Sequence, residues 1–143
     1  MGLTILKISE LMKKSEAFSL LELLITIALV AILIMTAYPS YSSYLVKARR
    51  NLAEISLFRL ASQLENFYSV HDTYEGATLE NMGMPSITDD HFYQFFIQSA
   101  NETSYIIQAM PLNSQLNQDQ CGTLSLNELG EKISTGEDNE QCW

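Results

Sequence analysis

Two cysteines, two histidines and one carboxylate set inside an apolar run are the residues of this 143-residue chain whose type and place bear on chemistry. Cys121 and Cys142 are its only cysteines. Joined, they would close a carboxy-terminal loop and add roughly 3 kcal/mol in the chain-entropy account. A zinc or free-thiol role lacks partners, because only His71 and His91 are available and their spacing matches no zinc pattern. A disulfide is the expectation. Serine, histidine and aspartate all occur, yet no nucleophile elbow, phosphate loop, metal motif or catalytic carboxylate pair stands out. His71-Asp72 reads as the solvated end of a helix rather than a base with its orienter. Glu137, Asp138 and Glu140 cluster without the regular ligand spacing of a calcium loop. No catalytic site, cofactor or metal is expected.

The carboxylate carries the sharper argument. From Phe18 to Tyr38, 17 of 21 residues are apolar, the exceptions being Ser19, Glu22, Thr26 and Thr36. As a helix this run spans roughly 31 Å, close to the hydrocarbon thickness of a bilayer. A lone charge at that depth costs several kcal/mol, so Glu22 calls for a partner, with snorkelling or protonation near the helix end as the plain alternative. Lys7, Lys13 and Lys14 precede the run, and Lys47, Arg49 and Arg50 follow a Tyr-rich spacer. The nearest flank, Lys13 and Lys14, favours a cytoplasmic amino terminus and an exported domain after it. An ordinary secretory signal fits badly: a cut after Ala37 would put Met35 where a small residue is needed.

The elements that must carry these residues follow from periodicity. Pro39 lacks an N–H and clashes with the preceding turn, so it is expected to break or kink the helix. Beyond it Leu45, Ala48, Leu52, Ile55, Ala61, Leu64 and Phe67/Tyr68 recur at helical spacing, with Lys47, Arg49, Arg50, Glu54 and Arg59 on the other faces. This predicts an amphipathic helix over 39–70. Residues 71–91 read as a loop with Gly76, Gly83 and Pro85. Phe92–Ile97 and Ser104–Ala109 read as a hairpin, Pro111–Gln120 as a polar loop, Gly122–Leu126 as a third strand and Lys132–Ser134 as a fourth. The sheet then fills 92–135 and a tail 136–143. The fold class is α+β, a long amino-terminal helix packed on a three- or four-stranded antiparallel meander.

The stretch Lys13-Lys14-Ser15-Glu16-Ala17-Phe18-Ser19-Leu20-Leu21-Glu22-Leu23-Leu24-Ile25 resembles the class III leader junction of type IV prepilins. The resemblance implies a leader over 1–17, a cut by a prepilin peptidase between Ala17 and Phe18, and methylation of the new Phe18 amine. It departs from the family at Ala17 and Ala31, where glycine is usual or frequent. A leader from Met1 is long for the family, whereas a start at Met12 would leave six residues; the sequence does not choose between Met1 and Met12. In that family the amine of an incoming subunit satisfies the carboxylate of its neighbour, which gives Glu22 the role of setting register; a slipped subunit would leave two desolvated charges unpaired. The later pattern, Tyr105…Ala109-Met110-Pro111, then Gln118-Asp119-Gln120-Cys121-Gly122-Thr123-Leu124-Ser125-Leu126 and Cys142-Trp143, resembles PilE-type pilins. There the bridge bounds the loop exposed on the fibre.

The resemblance implies a structural pilus subunit. It is made in the inner membrane with a cytoplasmic amino terminus and polymerised with other pilins into an extracellular fibre. A membrane assembly platform and motor ATPases drive that step, and adhesion, twitching motility or DNA uptake is its use. A type II secretion pseudopilin shares the amino terminus but commonly lacks the terminal disulfide and often holds calcium in the late loop. A membrane-anchored periplasmic binding domain is a more distant alternative, favoured if Phe18 stays uncleaved. Net charge is −9, with 17 acids against 8 Lys and Arg. Direct nucleic-acid binding, which wants a basic surface, is not expected. Major or minor rank is not legible.

Overall fold

The computed structural model describes residues 18–136 and 139–143. The leader with Ala17 and Met12, and the acidic pair Glu137 and Asp138, lie outside the described residues. Helix α1 spans Leu20–His71. Strands β1 (Tyr93–Ala100) and β2 (Tyr105–Pro111) follow, then helix α2 (Asn113–Gln118), β3 (Leu124–Asn127) and β4 (Lys132–Ser134). The chain divides into two compact units at Tyr41/Ser42.

In the first unit every described residue is exposed. The large apolar side chains from Phe18 to Met35 are each between 51% and 77% exposed, far beyond what water tolerates over so long a run. Among its described residues the two threonines hide their hydroxyls: Thr26 Oγ1 donates to the Leu23 carbonyl at 2.8 Å and Thr36 Oγ1 to that of Leu33 at 3.0 Å. Such back-bonding removes the penalty of an unpaired hydroxyl in an apolar solvent. By length and composition this segment can cross a membrane. The helix continues through Pro39, so the break expected there does not occur.

The second unit buries one stripe of α1: Val46, Arg50, Ala53, Leu57, Leu60 and Leu64. The steps of four and three residues keep these positions on one face. This corrects the first half of the stripe read from sequence, while its second half stands: Leu64 is buried and Ala61, Phe67 and Tyr68 pack against the core. Leu52 and Ile55 are 53% and 64% exposed, and Arg50, expected on the polar side, is only 9% exposed. Either phase supplies enough aliphatic residues, so the sheet had to choose between them. The helix ends where Asp72 takes a left-handed φ of 57° and its N–H reaches the Tyr68 carbonyl at 2.8 Å.

The sheet is an antiparallel meander in the order β1-β2-β3-β4. Alternation selects its inner face: Tyr93 and Phe95, then Tyr105, Ile107 and Ala109, then Leu124 and Leu126. These pack with Ala53, Leu57, Leu60 and Leu64 of α1 into one core, which Tyr74, Ala77 and Met84 of the 72–92 segment complete. The fold class read from sequence stands, with four strands. One element was missed. Where a polar loop was expected, α2 forms from Asn-Ser-Gln-Leu-Asn-Gln, a sequence of modest helix propensity with no side-chain cap. Tertiary bonds to Gln115 and Asp119 hold it instead.

Candidate functional site

Three places could bear function, and the first two carry the residues singled out by sequence. The first is the bare apolar helix. Phe18 is 75% exposed and lies two residues before α1 begins. Glu22 stands in the first turn, where the helix dipole favours an anion. From Leu23 to Met35 only Thr26 interrupts the apolar residues that follow it. Ala17 falls outside the described residues, so the cut position has no local geometry. Pro39 lies inside α1 with no N–H to give the carbonyl four residues before it.

The second is the carboxy-terminal loop. Cys121 and Cys142 are bonded, with their Cα atoms 5.5 Å apart, and both are 4% exposed. Gly122 turns the chain beside the bridge with φ +63°, and a Cβ there would strike the Thr135 hydroxyl, so glycine is required twice over. What anchors this loop is a buried ion pair that the sequence reading did not assign. Arg50 of α1 meets Asp119 side-on: Nε lies 3.1 Å from both carboxylate oxygens and Nη2 lies 2.5 Å from Oδ1. The carboxylate also accepts from the Tyr93 hydroxyl, from Gln115 Nε2 at 3.0 Å and from the Cys121 N–H at 3.0 Å. Gln115 Nε2 further reaches the Val46 carbonyl at 3.0 Å. Arg50 Nη1 points toward the Gln141 carbonyl at 3.5 Å, next to the other cysteine.

The side chain of Asp119 is fully buried and that of Arg50 is 10% exposed. Burial pushes the Asp119 carboxyl up, but donors from Arg50, Tyr93 and the Cys121 N–H outweigh it and hold it below the usual carboxylate range. Burial likewise opposes the Arg50 charge, and the Asp119 carboxylate more than restores it. Burial and the bond to Asp119 drive the Tyr93 hydroxyl well above its ordinary value. So saturated a carboxylate has no lone pair to spare for a substrate proton. It is a clamp that ties α1, β1 and α2 to both arms of the bridge. A signal for it did exist: Arg50 falls in phase with Val46, Ala53 and Leu57, and a charge in an apolar stripe asks for a buried partner.

The third place is on the surface. Lys132 Nζ sits 5.0 Å from the Phe58 ring and 5.5 Å from the Trp143 ring, and the two rings meet edge to face at 6.3 Å. The Arg49 guanidinium lies 3.5 Å over Phe92. Among the described residues no group of three or more His, Cys, Asp or Glu is placed to hold a metal ion.

With this geometry in place the comparisons are specific. Residues 12–38 match the prokaryotic N-terminal methylation motif, and residues 39–125 match the family described as type IV minor pilin ComP, DNA uptake sequence receptor. No curated protein matches. The type IV pilin of Shewanella oneidensis is similar at 28% identity and a TM-score of 0.52, over 68% of this chain and 97% of that one. The non-core minor pilin PilV of Neisseria meningitidis shares the fold at 17% identity and a TM-score of 0.54, over 67% of this chain and 92% of that one. The pilin expectation thus stands over the pseudopilin one, and a minor rank, not legible before, comes with the match. A methylation motif, a bare apolar helix and a clamped disulfide loop on a four-stranded meander belong together in one kind of fibre subunit, and this chain belongs to the type IV minor pilin ComP family.

Proposed function

We propose that this pilus subunit is inserted in the inner membrane with its amino terminus in the cytoplasm, cut between Ala17 and Phe18, methylated on Phe18, and added to a type IV fibre that serves DNA uptake. One observation carries the reading. A helix whose described residues up to Tyr41 are all exposed runs without interruption into a well-packed domain. In the membrane that helix is solvated by lipid; in a fibre it is solvated by the helices of other pilins. Apolar packing supplies the attraction, and Glu22 supplies the register through the amine of a neighbouring Phe18. Pro39 marks where α1 bends or loosens on assembly. The role is structural, not catalytic. Deleting the chain should leave fibres on the cell but lower transformation by added DNA, since a minor subunit sets what a fibre does more than whether it forms. Unchanged transformation would refute the reading.

A second reading, that this chain itself touches DNA, is favoured by the Lys132, Phe58 and Trp143 cluster. The domain's acidity argues against broad phosphate contact: from His71 onward 12 acids face one Lys. Arg50 is committed to Asp119. Lys132 makes a narrow face of its own, one cation set over two rings, on which an unpaired base can stack. Fluorescence anisotropy of the full chain in detergent with single-stranded DNA tests this. Binding should weaken with salt at a logarithmic slope of about −0.7 to −1.4, as for one or two phosphates, and Lys132→Glu should abolish it. Equal binding by the Lys132→Glu variant would remove this face from consideration.

A further inference from the structure

A sheet ends somewhere, and its last strand presents unpaired N–H and C=O groups that invite another chain. Here the last strand is β4. Its pairing with β3 aligns Leu124 with Ser134, Ser125 with Ile133 and Leu126 with Lys132. Beyond the strand the Thr135 N–H bonds the Thr123 carbonyl at 3.0 Å. In an antiparallel ladder such bonded pairs alternate with unbonded ones. Ile133 therefore faces β3 with both backbone groups, while the Ser134 N–H and the Lys132 carbonyl point away from the sheet. Those two groups are what an added antiparallel strand would take.

They are already taken. Asn139 accepts from the Ser134 N–H through Oδ1 at 2.6 Å and donates to the Lys132 carbonyl through Nδ2 at 2.8 Å. A side-chain amide carries the same donor and acceptor as a peptide group, so one asparagine takes the groups on either side of Ile133, as one residue of a parallel fifth strand would, and denies both to an antiparallel one. The tail holds it in place: the Cys142 N–H bonds the Asn139 carbonyl at 3.2 Å, and Cys142 is bonded to Cys121. Outside this pairing β4 has the makings of an adhesive edge. Ile133 is 57% exposed and Leu129, in the preceding turn, is 74% exposed. Lys132 is the strand's only charge.

We propose that Asn139 is a one-residue surrogate strand that closes the outer edge of β4, and that its removal lets this edge pair with the same edge of a second copy of the chain. A second copy is the fitting occupant because antiparallel edge-to-edge pairing is self-complementary: the Ser134 N–H of each copy meets the Lys132 carbonyl of the other about a two-fold axis. An exported subunit that waits in the membrane before assembly has reason to keep such an edge closed.

Two substitutions separate this device from a general loss of packing. In the full chain in detergent micelles, Asn139→Ala removes both bonds, whereas Asn139→Asp keeps the acceptor for the Ser134 N–H and adds a charge that opposes pairing. Hydrogen exchange of the 131–136 segment should speed at least about tenfold in Asn139→Ala and stay slow in Asn139→Asp, with β2 protected in both. Sedimentation should show concentration-dependent dimers for Asn139→Ala alone, and Ile133→Lys added to it should restore the monomer. Equal exchange in Asn139→Ala and the parent chain overturns the proposal. So does faster exchange in both variants, which means mere loosening, or a monomeric Asn139→Ala at every concentration.

Discussion

Asp119→Ala is the most informative single change in this domain. It removes the counter-charge of an arginine whose side chain is 10% exposed, together with the acceptor of the Tyr93 hydroxyl, of one Gln115 bond and of the Cys121 N–H. Stranding a buried charge costs about 3–5 kcal/mol, and each orphaned neutral donor adds up to about 1–3, although not additively. Tyr93 and Gln115 soften this because they still bond each other at 3.1 Å. A loss of about 4 kcal/mol follows, a large share of the 5–15 kcal/mol typical of a whole domain. Arg50→Met should cost less, about 2 kcal/mol, because Asp119 keeps its other donors. The double variant Arg50→Met with Asp119→Asn removes both charges and should be more stable than Asp119→Ala, since no charge is left buried alone.

Trp143 is the only tryptophan and packs against Phe58 beside the bridge, so its fluorescence reports this loop during urea unfolding of the full chain in micelles. An acid titration adds an independent arm. The Asp119 carboxyl is held below its unfolded value, so its contribution is complete above about pH 4 and lost as pH falls through the folded value. Glu54 works the other way. Burial raises its carboxyl despite Arg50 and Lys132, so protonation relieves strain there as pH falls. The measure is therefore the difference between parent and Asp119→Asn at each pH, which should shrink in acid. An Asp119→Ala loss under about 1 kcal/mol, or a double variant no better than that single one, would show that the clamp does not hold the loop.

Three further outcomes are expected. Mass spectrometry of the membrane-extracted protein should find a chain beginning at methylated Phe18, and Ala17→Leu should leave the leader attached; a chain beginning at Tyr38 would contradict the cut. Glu22→Val should insert and be cut normally yet enter fibres at least about tenfold less well, as befits loss of a desolvated pair worth 1.4 kcal/mol or more; unchanged incorporation would leave register to apolar packing. Cys142→Ser should make the tail protease-sensitive and lower subunit abundance by removing about 3 kcal/mol of chain constraint, while chelating calcium does little; tail loosening on chelation alone would point to a bound ion.

What could be read from sequence was what local physics decides. Glu22 among apolar neighbours is conspicuous because burying a charge is costly anywhere. The strands at Tyr93–Ala100 and Tyr105–Pro111 announce themselves by β-branched and aromatic residues. Lys132–Ser134 follows a turn that Asn127 and Gly130 make nearly obligatory. What escaped was decided at long range. Arg50 and Asp119 lie 69 positions apart, and although Arg50 interrupts an apolar stripe, nothing local names Asp119 as its partner. α2 is a weak helix that exists because Gln115 is fully buried among partners from α1 and β1. The stripe on α1 is legible from Ala61 to Tyr68 but out of phase before that, because Leu52 and Ile55 are as apolar as Leu57 and Leu60 and only the sheet distinguishes them.

The misphased stripe and the missed clamp are one error seen twice. A helix face made of Ala, Leu and Val packs nearly as well after a one-turn slide, because apolar attraction has no direction. Arg50 has direction. Its guanidinium meets Asp119 along one edge, and a slide of about 5.4 Å would pull it from the carboxylate and leave both charges in a desolvated site. The charge that spoils the apolar pattern is therefore what selects among the registers that pattern allows. Glu22 is proposed to do the same between subunits, again as one charge in an apolar run. A fibre loaded along its axis pulls on α1, and sliding is the motion that apolar packing resists least. The double variant at Arg50 and Asp119 bears on this directly. If it regains stability but lets α1 exchange its amide protons faster than the parent chain, the pair fixes register; if exchange is unchanged, Leu57, Leu60 and Leu64 fix it alone.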